Sequence, residues 1–186
     1  MRCLCRCSSL ACNRDWESYH VDSKWYFDKY PPQRSRMEEA AHFSDSLALE
    51  VGAGDGFISS LIKGQKKDVI TTDISRKNCK MAKDRGLESV VCDVCFLPFR
   101  DNTFFSVMGS EVLEHLPNMG KGLAEMQRVT KQRVIISLPL QNWKNEFSHL
   151  WHINITAVMH NGEKRRSEDK IDDVVIIFDK AFENWH

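Results

Sequence analysis

Short apolar runs alternate with helix-like stretches from residue 47 onward, and this alternation constrains the fold more than any other feature. The apolar runs are residues 47–51, 68–72, 89–92, 104–108 and 133–138. Helix-like stretches follow at residues 56–63, 76–84, 112–116 and 120–130. Strands that alternate with helices predict an α/β fold, a doubly wound and mostly parallel sheet with helices on both faces. Ligands of such a sheet bind beyond the carboxyl ends of the strands.

Composition limits the kind of protein and its partners. The chain has 186 residues, 42% of them hydrophobic and 28% charged, which is a globular balance. No apolar run approaches the roughly 20 residues of a membrane span. Lysine and arginine number 26, as do aspartate and glutamate, so the excess of positive charge that favours nucleic acid is missing. We expect no membrane span and no nucleic-acid partner, and the sequence leaves the oligomeric state open.

The loop after the first apolar run is rich in glycine and in acid. It reads Glu-Val-Gly-Ala-Gly-Asp-Gly over residues 50–56. Glycines let the backbone turn sharply into a helix and let a ligand approach the main chain. A dinucleotide fingerprint would need glycine at position 57, where this chain has Phe57. The acids also disfavour a pyrophosphate at the helix N-terminus, so NAD is disfavoured as the ligand.

Carboxylates recur at the ends of the later runs, with Asp73, Asp93, Glu111 and Glu114. Asp73 stands about 20 residues beyond the first glycine of the loop, the spacing at which a carboxylate accepts hydrogen bonds from ribose hydroxyls. A pocket lined by carboxylates suits a cationic nucleoside. S-adenosylmethionine, with its sulfonium and ammonium groups, is such a ligand.

Four stretches in order resemble the motifs of class I S-adenosylmethionine-dependent methyltransferases. They are residues 49–56 (LEVGAGDG), 72–75 (TDIS), 92–104 (CDV followed by LPFRDNTF) and 111–116 (EVLEHL). The resemblance covers roughly residues 25 to 139 and is closest to the type 11 group of small-molecule enzymes, which includes quinone-biosynthesis methyltransferases. It implies a Rossmann-like sheet, the cofactor S-adenosylmethionine and an enzyme that methylates a small molecule.

The resemblance also assigns residues to parts of the cofactor. The expected cofactor-binding residues are Glu50, Gly52, Ala53, Gly54, Gly56, Asp73, Ile74, Asp93, Val94, Ser110 and Glu111. Among them, Glu50 lies at the methionyl part and Asp73 at the ribose hydroxyls. Ile74 packs on the adenine and Asp93 reads its edge, while Glu111 closes on the methionyl amine.

The resemblance divides the chain into two parts. Residues 1–45 form a Cys-rich and aromatic segment on the lid or substrate side, and residues 46–186 form the S-adenosylmethionine-binding domain. The aromatic side chains of the first part are either a lid over the acceptor or the packing face of a helix. A double proline, Pro31-Pro32, predicts that one helical turn ends there and another segment begins.

Methyl transfer from a sulfonium is an in-line displacement that requires alignment more than catalytic groups. A base is needed only for a hydroxyl or protonated amine acceptor, and a histidine near the strand ends is then the natural candidate. The weak candidates are His115, His149 and His152. For all three, a packing or surface role is the favoured alternative.

Seven cysteines bear on metal binding and compartment. Cys3, Cys5, Cys7 and Cys12 alternate in a pattern that matches zinc knuckles poorly, so we predict no metal site. Cys92 and Cys95 form a Cys-x-x-Cys motif, interpreted as free thiols because Asp93 between them has a cofactor role. The odd number of cysteines, with no apolar secretory segment at the start, favours the reducing cytoplasm.

Two alternatives to the small-molecule enzyme remain. The first is a non-catalytic, methyltransferase-like subunit that binds the cofactor or a partner as a scaffold. The second is nucleic-acid methylation. It is disfavoured by the zero net charge and by Gly109-Ser110-Glu111-Val112, which stands where such enzymes carry an Asn/Asp-Pro-Pro-aromatic motif.

Overall fold

A six-stranded sheet organises the protein. The computed structural model describes residues 17, 22–139, 158–160, 163–165 and 173–179. The strands of the sheet are β1 (Ala48–Val51), β2 (Val69–Asp73), β3 (Glu88–Val91), β4 (Phe104–Ser110), β5 (Thr130–Pro139) and β8 (Asp173–Asp179). Two short strands, β6 (Val158–His160) and β7 (Glu163–Arg165), form a separate pair. The order of the strands in the six-stranded sheet is β3-β2-β1-β4-β5-β8. The first five strands pair in parallel and β8 runs antiparallel to β5. This is the predicted doubly wound, Rossmann-like sheet.

Helices cover both faces of the sheet, as predicted. The helices are α1 (Ser23–Lys29), α2 (Pro31–Phe43), α3 (Phe57–Gly64), α4 (Arg76–Asp84) and α5 (Met119–Val129). Side chains alternate across a strand. Accordingly Met108 joins a core with α2, α3 and α4, whereas the preceding Val107 joins a second core with α5.

The junction between α1 and α2 follows from the double proline. A residue before proline is excluded from the helical region, and Tyr30 is extended at φ −121° and ψ 102°. Proline is tolerated at the first helical position, where its missing N–H has no intrahelical partner in any case. The chain therefore ends α1 and starts α2 at the predicted place.

The secondary structure predicted from the sequence was wrong at two places. The helix predicted over residues 112–116 is only a turn of 3₁₀-helix at Leu113–His115, entered from a left-handed residue, Glu111 (φ 54°). Strands β6 and β7, which pair antiparallel, were missed because each has only three residues, too few to show an alternation. No helix in the described ranges is long and apolar enough to span a membrane. The division of the chain at residues 45 and 46 stays a prediction.

Candidate functional site

The glycine loop after β1 presents bare main chain to open space. Gly54 has a left-handed backbone (φ 55°), and a β-carbon built on it would meet no atom within 4 Å. Gly52 (φ 60°) is also left-handed, but a β-carbon there would lie 2.5 Å from Cγ2 of Val112. The loop after β1 is thus in contact with the loop after β4, and it leaves room for a ligand over Gly54.

Asp73, the last residue of β2, is tied to the glycine loop. Its Oδ2 accepts a hydrogen bond from the main-chain N–H of Gly54 at 2.9 Å. Its Oδ1 accepts from Ser75 N at 2.8 Å and from Asn78 Nδ2 at 3.3 Å. Burial raises the pKa of the Asp73 carboxyl above its ordinary value. A carboxylate has about four acceptor positions, so Asp73 retains capacity for a ligand hydroxyl.

Glu50 is buried under the same loop, with a relative exposure of 2%. Its Oε2 accepts hydrogen bonds from Ser59 N at 2.9 Å and from the Ser59 hydroxyl. Burial, which disfavours the charged form, raises the pKa of Glu50 to about 8. Near neutral pH this side chain is mostly protonated.

Asp55, the acid inside the loop, is neutralised within the protein. Its Oδ2 accepts from Arg85 Nη2 at 2.8 Å, and its carbonyl accepts from Arg85 Nε at 2.8 Å. With Asp55 paired and Glu50 largely neutral, the pocket carries less negative charge than the sequence suggested. The sequence shows which acids are present, but not which of them find a buried partner.

The adenine side of the expected site lies after β2 and β3. Ile74 is 40% exposed, so its side chain is accessible to a ligand ring. Asp93 caps the 3₁₀-turn Val94–Phe96, and its Oδ1 accepts from Cys95 N at 2.8 Å. Val94 itself is buried in the second core. The Asp93 carboxylate is therefore held at the carboxyl edge of the sheet.

The loop after β4 is held from two directions. The main-chain N–H of Glu111 donates to the Ser137 carbonyl at 3.1 Å, and the Ser137 hydroxyl donates to Glu111 Oε1 at 3.0 Å. Arg36 from α2 reaches the Ser110 and Ser137 hydroxyls, the latter at 3.1 Å. Ser137 was missed in the sequence, although it lies near the end of the fifth apolar run, where functional residues were expected.

One candidate base is described and two are not. His115 ends the 3₁₀-turn after β4, with its Nε2 atom 3.8 Å from Glu114 Oε1. Its role as a base stays a prediction. His149 and His152 lie outside the described residues.

The described cysteines are free thiols. They are Cys79, Cys92 and Cys95. Burial raises the pKa of Cys92 to about 11, which makes this thiol a poor nucleophile. Over the ranges that the structure covers, no cluster of three or more histidine, cysteine or acidic side chains could hold a metal. Cys3, Cys5, Cys7 and Cys12 lie outside those ranges.

Helix α1 exposes its aromatic side chains. Trp25, Tyr26 and Tyr30 are 46%, 42% and 47% exposed, and their rings contact one another. Phe27 anchors the helix, its ring centroid 5.1 Å from that of Phe57 at the start of α3. The helix buries none of its residues. The three exposed rings are not the packing face of α1.

Comparison with known proteins identifies the family. The sequence pattern of the methyltransferase domain matches residues 49–138, which hold the glycine loop, Asp73 and the loop after β4. This match and the relatives that follow support a class I S-adenosylmethionine-dependent methyltransferase. Several relatives are named as demethylmenaquinone or ubiquinone/menaquinone methyltransferases, the group that the resemblance implied. S-adenosylmethionine is the cofactor of this methyltransferase fold.

Individual relatives of this methyltransferase agree with the assignment. A demethylmenaquinone methyltransferase of Thermobifida fusca is 32% identical over 117 residues, which make up 58% of this chain and 46% of that protein. A S-adenosylmethionine-dependent methyltransferase of Thermotoga maritima has the same fold, with a TM-score of 0.67, 15% identity and coverage of 84% of this chain and 93% of the other.

A third protein shares the fold in part. It is a Haloferax volcanii methyltransferase solved with a methyltransferase activator, with a TM-score of 0.54, 18% identity and coverage of 62% and 55% of the two chains. The chain spans about half the length of the curated relatives that it matches.

Proposed function

We propose that this protein transfers the methyl group of S-adenosylmethionine to a small-molecule acceptor by in-line displacement. The observation that carries the proposal is the junction of three motifs at one edge of the sheet. The Gly54 main chain, which faces open space, is hydrogen-bonded to Asp73, and the Gly52 backbone lies against Val112. A nucleoside with an amino-acid tail fits a cleft with a ribose-binding carboxylate at one end and polar groups at the other.

Each strand end has a part in holding the cofactor. Asp73 accepts the ribose hydroxyls, and Ile74 and Asp93 hold the two sides of the adenine. Glu50, below the glycine loop, and Glu111, after β4, face the methionyl part. When bound, S-adenosylmethionine supplies an electrophilic methyl group on its sulfonium. The protein supplies alignment, and His115 is the candidate base where the acceptor is a hydroxyl or a protonated amine.

Three observations support a small acceptor. One relative is named as a demethylmenaquinone methyltransferase. The exposed rings of Trp25, Tyr26 and Tyr30 offer an aromatic surface close to Phe27, which contacts Phe57 at the start of α3. The zero formal charge offers no general attraction for nucleic acid.

The free thiols of Cys79, Cys92 and Cys95 fit a reducing compartment, and we place the protein in the cytoplasm.

The alternative is a non-catalytic subunit that binds the cofactor and a partner. It stays open because a Haloferax volcanii methyltransferase with a similar fold was solved with a separate activator protein. Such a subunit would keep the cofactor contacts but would transfer no methyl group on its own.

A labelling experiment separates the two. The purified protein is incubated with S-adenosylmethionine labelled on its methyl group and, in separate reactions, with a small-metabolite extract, an RNA fraction and a heat-inactivated protein fraction. Label in a small molecule, absent with Asp73→Ala, supports the enzyme. Cofactor binding without transfer to any small-molecule, RNA or protein fraction supports the subunit, and label confined to RNA or protein rejects the small acceptor.

A further inference from the structure

A buried arginine of the N-terminal helices reaches the carboxyl ends of two central strands. Arg36, on α2, is only 7% exposed. Its Nη1 atom donates to the hydroxyls of Ser110, at the end of β4, and Ser137, near the end of β5, and its Nη2 atom donates to Gln33. Hydrogen bonds from both Nη atoms hold the buried guanidinium in one position.

Arg36 also lies beside the acid that follows β4. Its Nη1 atom is 3.6 Å from Glu111 Oε1, and the same carboxylate oxygen accepts from Ser137 at 3.0 Å. Arg36, Ser110, Glu111 and Ser137 form one polar network, the β4–β5 network. It contains one positive and one negative charge, and its members come from α2, β4 and β5.

This network holds a backbone conformation that its own residue disfavours. Glu111 has φ 54°, in the left-handed region that a side chain other than glycine rarely adopts. Such a residue stays there only when its surroundings impose the conformation. The hydrogen bond from Glu111 N to the Ser137 carbonyl, with the Arg36 and Ser137 contacts to its side chain, supplies that constraint.

The conformation of Glu111 has a direct consequence at the cofactor cleft. Val112, the next residue, lies against Gly52 so closely that a β-carbon on Gly52 would come within 2.5 Å of it. A rotation at Glu111 would move Val112 and change the width of the cleft between the loops after β1 and β4. On the adenosine side, Asp73 is held separately by hydrogen bonds from Ser75 and Asn78.

We propose that Arg36 is a positioning residue that sets the conformation of Ser110–Glu111–Val112 and thereby the affinity of the site for the amino-acid end of the cofactor. The proposal rests on the proposed function for the identity of the ligand. Arg36 acts through Ser110 and Glu111, since its Nη atoms are occupied by Ser110, Ser137 and Gln33.

Two ligands that differ only in the amino-acid end test this role. S-adenosylhomocysteine carries the whole tail, whereas 5′-methylthioadenosine keeps the adenosine and the sulfur but lacks the tail. Calorimetric titration of Arg36→Gln is expected to show a loss of affinity of about tenfold for S-adenosylhomocysteine, the size expected for a buried hydrogen-bond network left incomplete. The affinity for 5′-methylthioadenosine is expected to stay within about twofold of the wild-type value.

Two further variants serve as a partial rescue and as a control. Arg36→Lys keeps the charge but not the fork of donors, so it should recover only part of the affinity. Arg34→Gln is the matched control, because Arg34 lies on the same helix but donates to the carbonyls of Phe27 and Asp28, away from the β4–β5 network. It should leave both affinities unchanged.

Equal losses for the two ligands, or no loss for either, would overturn the positioning role. If Arg36→Gln does not fold, Ser137→Ala removes the hydroxyl that both Arg36 and Glu111 contact, and it must then show the same selective loss. A wild-type protein that binds neither ligand would instead reject the proposed function, so the two failures are distinct.

Discussion

The main-chain N–H of Gly54 donates a hydrogen bond to the Asp73 carboxylate at 2.9 Å, and this bond joins the loops after β1 and β2. Gly54 adopts a left-handed backbone with open space above it, and Asp73 is buried and also held by Ser75 and Asn78. The carboxylate is therefore fixed in place by main-chain donors before any ligand arrives. Preorganisation of this kind lowers the cost of ordering on binding.

The open space above Gly54 predicts the effect of adding a methyl group there. Gly54→Ala should weaken binding of S-adenosylhomocysteine by at least about tenfold, since filling a fitted contact costs about 1–3 kcal/mol. The left-handed backbone should add a stability loss of about 1–2 kcal/mol. Calorimetry and urea unfolding measure the two effects.

Gly86 provides the matched control for this substitution. It is also left-handed (φ 77°), a β-carbon on it would also meet nothing within 4 Å, and it lies in the turn between α4 and β3. Gly86→Ala should show the same loss of stability without the loss of affinity. Equal affinity losses in the two variants would mean that the ligand does not occupy the space over Gly54.

The buried carboxyl of Glu50 predicts how stability depends on pH. Its pKa of about 8 in the folded protein lies above the 4.5 of an exposed carboxyl. The folded state thus binds this proton more tightly than the unfolded state, and the free energy of unfolding should fall as the pH rises from about 4.5 to 8. Urea unfolding at pH 5 and pH 8 measures the fall.

Glu50→Gln isolates the contribution of this one group. The glutamine carbonyl still accepts from Ser59 N and the Ser59 hydroxyl but does not titrate. The variant should lose much less stability than the wild type between the two pH values. If the free energy of unfolding falls by the same amount in both proteins, Glu50 is already ionised at pH 5, and the claim that it is buried in its neutral form is wrong.

The ion pair between Arg85 and Asp55 predicts an effect on the stability of the protein. Asp55 is 2% exposed, so Arg85→Gln leaves a buried carboxylate without its cation and should cost about 1–3 kcal/mol. Thermal or urea unfolding gives the value. Asp55→Asn combined with Arg85→Gln should recover part of the loss, because the uncompensated charge is gone.

The control for this ion pair is an exposed one on the neighbouring helix. Lys80 and Asp84 pair at 3.0 Å with side chains 76% and 64% exposed. Lys80→Gln should cost less than about 0.5 kcal/mol, as exposed helical pairs do. A similar cost for Lys80→Gln and Arg85→Gln would show that burial of Asp55 does not matter.

The sequence predicted the parts of the fold that depend on local pattern. The bounds of α4 are the predicted ones, and all five parallel strands lie at the predicted runs, because apolar periodicity and strand-end acids are local features. The β4–β5 network was not predicted. Arg36 meets Ser137 across a separation of 101 residues, and only the sheet topology brings them together.

The same reasoning explains the overestimated charge of the pocket. Three acids in or beside the first two motifs suggested a strongly negative cleft. Burial makes Glu50 mostly neutral, and Arg85, 30 residues further along the chain, neutralises Asp55. Charges in a sequence can be counted, but their desolvation and pairing depend on the folded contacts.

Calorimetric titration with S-adenosylhomocysteine, for the wild type and Asp73→Ala, tests the central claim most directly. Asp84→Ala serves as the control, because Asp84 is an exposed acid at the far end of α4. The account predicts saturable binding by the wild type and Asp84→Ala, and a loss of at least about tenfold in Asp73→Ala, since an unpaired ribose contact costs about 1–3 kcal/mol. Wild-type affinity in a folded Asp73→Ala variant, or no binding by the folded wild type, would contradict it.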